Sequence, residues 1–326
     1  MKKRGFITVA TGDYYCRLAE NLIISYRLFS DTTYPLYVMT DQKGEKRLKK
    51  FFDGVIVMEN PTYTFLDKIA VYENSPFDET IFLDADMNII KDISFLFDMF
   101  EENGCEVSCM GSVREITPEV RPIHYGEAAV QAFHLTKFLA FGGGMYYYQR
   151  CQKTDELIRM IYDELIPHYH DYQMKVFRPG QMADEPLMGL AMLLKGMTPV
   201  DDTERDLMRY SDHMMDTLKW DFKAKKCTFL WQFKRVVDPQ IVHYGTHNTY
   251  HKKYVYYNAI LRCRYRHMPV LIPFAVCVDE TVLLFRHIGT KSDRKAFYKW
   301  FKEHFTAEYW RRKKDQMKSL SKKKGK

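Results

Sequence analysis

Asp84 and Asp86 stand one residue apart at the end of the apolar run Ile81-Phe82-Leu83. Two carboxylates at that spacing, where a strand gives way to a turn, can both face one divalent cation. Their hard oxygens suit Mg²⁺ or Mn²⁺. An isolated Asp-x-Asp arises by chance about once in a chain of this size, so the setting decides what the pair means. The bland alternative is a polar strand end capping the next segment. The apolar run from Met87 to Ile90 directly after the pair favours the metal. Further along, Gly142-Gly143-Gly144 opens a β-favouring run and reads as a tight turn. Asp184-Glu185-Pro186 reads as a helix start, with acid in the first turn and proline where it is tolerated. His243 follows Ile241-Val242 and by itself reads as a buried histidine at a strand end, although imidazole is a competent metal ligand.

These side chains need a frame. Gly5 to Ala10 is a β-rich run that stops at the turn residues Thr11-Gly12-Asp13. Leu18, Leu22, Ile23, Tyr26 and Phe29 recur at helical spacing and predict a helix over 15–29. Strands are predicted over 34–39, 54–58 and 81–84, with helices over 45–52 and 65–73 between them. Strands that are apolar nearly throughout, alternating with helices, predict an α/β fold with a mostly parallel sheet covered on both faces. Ligands of such sheets gather beyond the carboxyl ends of the strands, where Thr11, Asp13, Asp84 and Asp86 all fall. Helices are also predicted over 154–165 and 184–194. Residues 199–237 have no clean period and read as loops and short pieces.

The segments Phe6-Ile-Thr-Val-Ala-Thr-Gly-Asp-Tyr-Tyr15, Leu66-Asp-Lys68 and Ile81-Phe-Leu-Asp-Ala-Asp86 are followed in order by Phe141-Gly-Gly-Gly-Met145, Ala183-Asp-Glu185 and Val242-His-Tyr-Gly245. Together they resemble the successive motifs of GT-A fold glycosyltransferases, and in particular glycosyltransferase family 8, which includes the glycogenins and bacterial lipopolysaccharide galactosyl- and glucosyltransferases. The likeness spans residues 5 to 250. It implies a retaining transfer of a hexose from a nucleotide-diphosphate sugar, a UDP-sugar by family expectation, to a glycan or lipid-linked glycan. It also implies roles. Val9, Ala10, Thr11 and Tyr15 match the first-strand loop that holds base and ribose. Lys68 matches a basic residue on the donor sugar and diphosphate. Asp84 and Asp86, with Ala85 between them, match the metal-binding pair, and His243 a third ligand to Mn²⁺ or Mg²⁺. Gly142, Gly143 and Asp184 match segments near the donor sugar. Asp184 or Glu185 is then the carboxylate that steadies the sugar cation or positions the acceptor. The family's Lys-Pro-Trp after the histidine is replaced here by a stretch running from Gly245 to Lys253, so Lys252 or Lys253 is the candidate phosphate-binding lysine.

Composition bounds the alternatives. With 326 residues, 46% hydrophobic and 28% charged, the chain has ample material for one large domain plus an appendage. Its net charge of +7 is uneven, because residues 291–326 hold 14 Lys/Arg against 4 Asp/Glu and the rest is slightly acidic. Basic charge confined to one end does not line a groove, which argues against nucleic-acid binding. In that end Phe297, Trp300, Phe301, Phe305 and Tyr309 fall at helical spacing beside lysines. Such a basic amphipathic helix suits an anionic membrane surface, or packing on the protein's own body. The expected organisation is a catalytic domain over 1–255 and a C-terminal helical basic extension over 256–326.

Seven scattered cysteines suggest no disulfide framework and a reducing compartment. The run from Pro269 to Val278 is about half a membrane span. The expectation is a cytoplasmic, bacterial enzyme, peripheral on the inner face of the plasma membrane. A sugar nucleotidyltransferase would carry a Gly-rich first loop, which Ala10-Thr11-Gly12-Asp13 is not. An inactive relative that binds a nucleotide sugar without turnover keeps every motif and stays open.

Overall fold

Strands that are apolar on both sides need cover from two directions. The computed structural model describes residues 2–31, 33–176 and 180–279. The elements run β1 (Arg4–Val9), α1 (Gly12–Phe29), β2 (Leu36–Thr40), α2 (Gln42–Leu48), β3 (Gly54–Val57), a 3₁₀ turn at Phe65–Lys68, α3 (Val71–Asn74), β4 (Glu79–Leu83), β5 (Met87–Ile89) and α4 (Leu96–Glu102). Then follow β6 (Val107–Glu115), α5 (Glu127–Ala132), β7 (Lys137–Gln149), α6 (Gln152–Met160) and α7 (Asp184–Leu194). The last part holds β8 (Met208–Tyr210), β9 (Lys219–Asp221), β10 (Lys226–Trp231), β11 (Arg235–Val237), β12 (Ile241–His243), α8 (Gly245–Asn248) and α9 (Lys252–Tyr265).

The main sheet has the order β3-β2-β1-β4-β7-β6. The pairings among β3, β2, β1 and β4 are parallel, and β7 runs antiparallel to both β4 and β6. Five of its six strands therefore share one direction, which is the mostly parallel α/β sheet that the pattern predicts. Alternation along the strands feeds two separate cores. Phe6, Ile81 and Leu83 pack on the side of α1, with Leu22, Ile23 and Tyr26. Ile7 and Phe82 point the other way, into a cluster with Tyr146, Leu187 and Leu190.

Short polar contacts set the ends of these elements. Asp41 accepts from the backbone N–H groups of Lys43 (2.9 Å) and Gly44 (2.8 Å), capping α2, and from Gly12 N–H (2.8 Å) at the start of α1. One carboxylate thus ties two helix starts to the carboxyl ends of β1 and β2. The helix predicted over 65–73 is instead a 3₁₀ turn followed by one turn of α3. The cause is Asp67, which is buried and accepts from Thr62 N–H (2.7 Å), Tyr63 N–H (3.1 Å) and the Thr11 hydroxyl (3.1 Å). A side chain that collects nearby N–H groups competes with the helix ladder.

Residues 199–237 hold more order than their lack of period suggests. β8 joins β12 and β5 in a small sheet, and β9, β10 and β11 form an antiparallel one. The boundary expected between 255 and 256 falls inside α9, whose Tyr254, Ala259 and Leu261 are buried. The Asn21 side-chain amide on α1 donates to the Tyr254 hydroxyl at 3.1 Å. The basic helix expected over 295–309 lies outside the described residues. Among those described, no helix is long and apolar enough to cross a membrane and no two cysteines form a disulfide.

Asp67→Ala leaves two backbone donors and two hydroxyls, those of Thr11 and Thr62, without their acceptor. We predict a loss of about 1–3 kcal/mol in a urea unfolding titration; a variant as stable as the parent contradicts the role given to Asp67.

Candidate metal centre and its two clefts

β4 ends at Leu83, so Asp84 and Asp86 lie in the turn to β5. That turn is held through the backbone of both aspartates. Asp84 N–H donates to Gly144 O (2.9 Å) on β7, and Asp86 O accepts from Tyr244 N–H (3.1 Å) after β12. β12 runs antiparallel to β5 with His243 opposite Met87, which carries the imidazole to the acidic pair. His243 Nε2 lies 3.0 Å from Asp86 Oδ1 and 3.5 Å from Asp84 Oδ2. One ligand atom from each of the three residues lies within 4.8 Å of the others.

The remaining charges close around this group. Lys68 Nζ, placed by the Asp67 turn, sits 2.8 Å from Asp84 Oδ1 and 3.5 Å from Asp184 Oδ1. The Tyr146 hydroxyl donates to Asp184 Oδ2 at 2.9 Å. Glu185 Oε1 accepts from Gly143 N–H at 2.6 Å. Asp184 and Glu185 open α7, as the sequence indicates. The glycines of β7 are small because the site needs the room. A Cβ on Gly143 would lie 2.4 Å from Glu185 Cγ, and one on Gly144 would lie 2.4 Å from His243 Nδ1.

Four carboxylates therefore meet two cationic groups in a largely buried place. Burial pushes the Asp84 carboxyl up, Lys68 pulls it down, Asp86 pushes it up again, and the balance is about 7. Burial also works against the Asp86 carboxylate, but the charge and hydrogen bond of His243 hold it below its usual range. For His243, burial favours the neutral ring, and the charges of Asp86 and Asp84 outweigh it and raise the pKa. The acid excess and the two-carboxylate, one-imidazole donor set fit Mn²⁺ or Mg²⁺. A divalent ion would take up the charge that protons carry here.

Two clefts meet at these side chains. A narrow slot of about 60 Å³ is lined by Val9, Thr11, Tyr15, Ala85 and Gln181, among others, and a wide cleft of about 1420 Å³ by Gly142, Asp184, Glu185, His243 and Gly245, among others. Phe65, Lys68, Asp84, Asp86 and Thr246 border both. Most of the residues singled out from sequence thus converge. Two stand apart. Ala10 is fully buried, its carbonyl taken by the Thr40 hydroxyl at 2.6 Å, and it lines neither cleft. Lys252 is exposed at the first position of α9 and also lines neither. Its neighbour Lys253 donates to the carbonyls of Asp216 (2.8 Å) and Leu218 (2.7 Å). Sequence reasoning passed over His124, Tyr146 and Tyr210. The Tyr210 ring centroid lies 3.9 Å from that of His243, and nothing in the local sequence marks it.

No family model and no curated protein matches the chain. Solved structures similar to it include the WbbM bifunctional glycosyltransferase (15% identity, TM-score 0.45, 76% of this chain and 46% of that one). Mouse xyloside xylosyltransferase 1 is similar at 14% identity and a TM-score of 0.47, over 75% of this chain and 98% of that one. The galactosyltransferase LgtC, solved with donor and acceptor sugar analogs, is similar at 13% identity and a TM-score of 0.49, over 76% of this chain and 89% of that one. The chain spans less than half the length of WbbM. At these values the fold rests on the chain's own topology and the chemistry on its own residues.

Two predictions concern the ion. Gly144→Ala drives a methyl into the His243 ring and should weaken Mn²⁺ binding by roughly tenfold or more, read by calorimetric titration. Protons compete with the ion for Asp84 and His243, whose pKa values are both raised. Mn²⁺ affinity of the parent should therefore fall by roughly tenfold or more from pH 8 to pH 6. An affinity that is flat across that range contradicts the assignment of these ligands.

Proposed function

We propose that this chain is a metal-dependent glycosyltransferase that moves a hexose from a nucleotide-diphosphate sugar, a UDP-sugar in our reading, to a glycan or lipid-linked glycan acceptor. The observation that carries the proposal is the convergence of Asp84, Asp86, His243, Lys68 and Asp184 where the narrow slot opens into the wide cleft. A nucleotide laid at the mouth of the slot beside Val9, Thr11 and Tyr15, and widening that volume of about 60 Å³ to take the base, would point its diphosphate at the carboxylate pair. The acceptor then enters from the wide cleft.

Charge dictates the roles. Cleavage of the sugar–phosphate bond leaves a nucleotide diphosphate with added negative charge. Asp84, Asp86 and His243 would hold Mn²⁺ or Mg²⁺, which supplies Lewis-acid stabilisation of that leaving group. Lys68 adds a fixed positive charge on the same side, already oriented by Asp84 and Asp184. The sugar ring passes through an oxocarbenium-like state, as in glycoside hydrolysis. Asp184, whose two oxygens face Lys68 and the Tyr146 hydroxyl, is placed to offset that developing positive charge. Retention of anomeric configuration is part of the proposal and follows from the resemblance to family 8.

A thermal-shift screen of nucleotide-diphosphate sugars tests the reading, since a ligand bound to the native state raises Tm by mass action. We expect at least one UDP-sugar to raise Tm with Mn²⁺ and not with EDTA, and Asp86→Asn to abolish that shift and turnover of the same donor. A well-folded parent that shifts with no donor contradicts the proposal.

A further inference from the structure

His124 lies beside the acid cluster and takes no part in the reaction outlined above. It is 4% exposed and lines the wide cleft ahead of α5. Its Nε2 lies 3.2 Å from Phe141 O. A carbonyl oxygen can only accept, so Nε2 carries the hydrogen, and Nδ1 of the neutral ring presents a lone pair. That Nδ1 is sealed from solvent without a hydrogen-bond partner, and Glu185 Oε2 lies 3.7 Å from it. Since Gly143 N–H occupies Glu185 Oε1, Oε2 is the oxygen left to face the ring. A bare carboxylate oxygen facing the lone pair of a buried ring nitrogen would repel it, and Nδ1 would stay unsatisfied. One proton between them removes both penalties.

We propose that Glu185 carries this proton on Oε2 and, once the pair closes from 3.7 Å to hydrogen-bond distance, donates it to His124 Nδ1, so that Glu185 is a neutral carboxyl in the resting site. The charged groups nearby are consistent with that state. Burial, then the charge of Asp184, raises the Glu185 pKa against the opposing pull of Gly143 N–H, Lys68 and His243. Burial holds the His124 ring neutral, with a pKa lowered to about 4; Lys175 adds to that, while the Phe141 carbonyl and Asp184 oppose it. Cys109, Tyr146, Tyr169 and Tyr210 also sense Glu185, and burial raises the pKa of each, so none adds charge at neutral pH.

The consequence divides the labour between two adjacent acids. A neutral Glu185 ties Gly143 to His124 and offers the sugar no negative charge. Asp184 is then the carboxylate that faces the anomeric centre, an assignment that rests on the glycosyl-transfer reading. His124 is a positioning residue that acts through Glu185.

The shared proton can be tested apart from catalysis, on the whole 326-residue chain with Mn²⁺ at pH 7. A glutamine at 185 can donate to His124 Nδ1 and accept from Gly143 N–H, which reproduces a neutral carboxyl and not a carboxylate. Glu185→Gln should melt within about 2 °C of the parent, and Glu185→Ala should lose about 4 °C or more. The infrared difference spectrum of parent minus Glu185→Gln should show the C=O stretch of a protonated carboxyl. His124→Phe, which removes the acceptor, should shift that band. Carboxylate bands alone in the difference spectrum, or a Glu185→Gln variant as unstable as Glu185→Ala, would overturn the proposal. Neither readout depends on sugar transfer, so failure of the donor screen and failure of the shared proton are separate results.

Discussion

Like charges crowded into a poorly solvated place repel, and Asp84, Asp86 and Asp184 are crowded in this way around Lys68 and His243, with the Glu185 carboxyl against them. Neighbouring elements are arranged to hold that charge together. The Asp67 turn delivers Lys68. β12, inserted between β5 and β8, delivers His243. The glycines of β7 leave space for the His243 ring and for Glu185. Such an arrangement costs stability unless protons or a cation neutralise it. Asp84, with its pKa pushed up to about 7, is where that cost shows.

Position on the sheet explains why the charge is collected here. The parallel strands bring the starts of α1 and α2, the turn after β4 and the acids of α7 to one end of the sheet. Helix starts and strand ends offer backbone groups with few internal partners. Asp41 and Asp67 satisfy several of them, which leaves the carboxylates of the β4–β5 turn and of α7 for chemistry. The two clefts then differ by construction. The slot is narrow because Val9, Thr11 and Tyr15, from the end of β1, the turn after it and the first turn of α1, lie against Ala85. The wide cleft is open because β6, α7 and the 199–237 region border it from separate parts of the chain.

What the sequence makes legible follows from which interactions are local. Apolar strands alternating with amphipathic helices mark the sheet and α1 directly, and Asp184-Glu185-Pro186 marks α7. Short-range competition misleads over 65–73, where the spacing looks helical and Asp67 instead gathers N–H groups into a 3₁₀ turn. Strands of three residues such as β8, β9 and β11 carry too little periodicity to be read. At the site, Asp84 and Asp86 are visible through their spacing, and His243 through the ordered motifs. Ala10 follows the same motif as Val9 and Thr11, but strand alternation turns it into the core. His124, Tyr146 and Tyr210 meet the acids only through tertiary packing, so no local pattern could announce them.

The central claim is that Asp84, Asp86 and His243 hold one divalent ion at the junction of slot and cleft. Anomalous diffraction from crystals grown with Mn²⁺ and UDP tests it most directly. The account predicts one strong manganese peak at roughly 2.0–2.3 Å from an oxygen of each aspartate and from His243 Nε2, with the diphosphate on its open side. A peak elsewhere, or none beside an ordered UDP, would contradict the account.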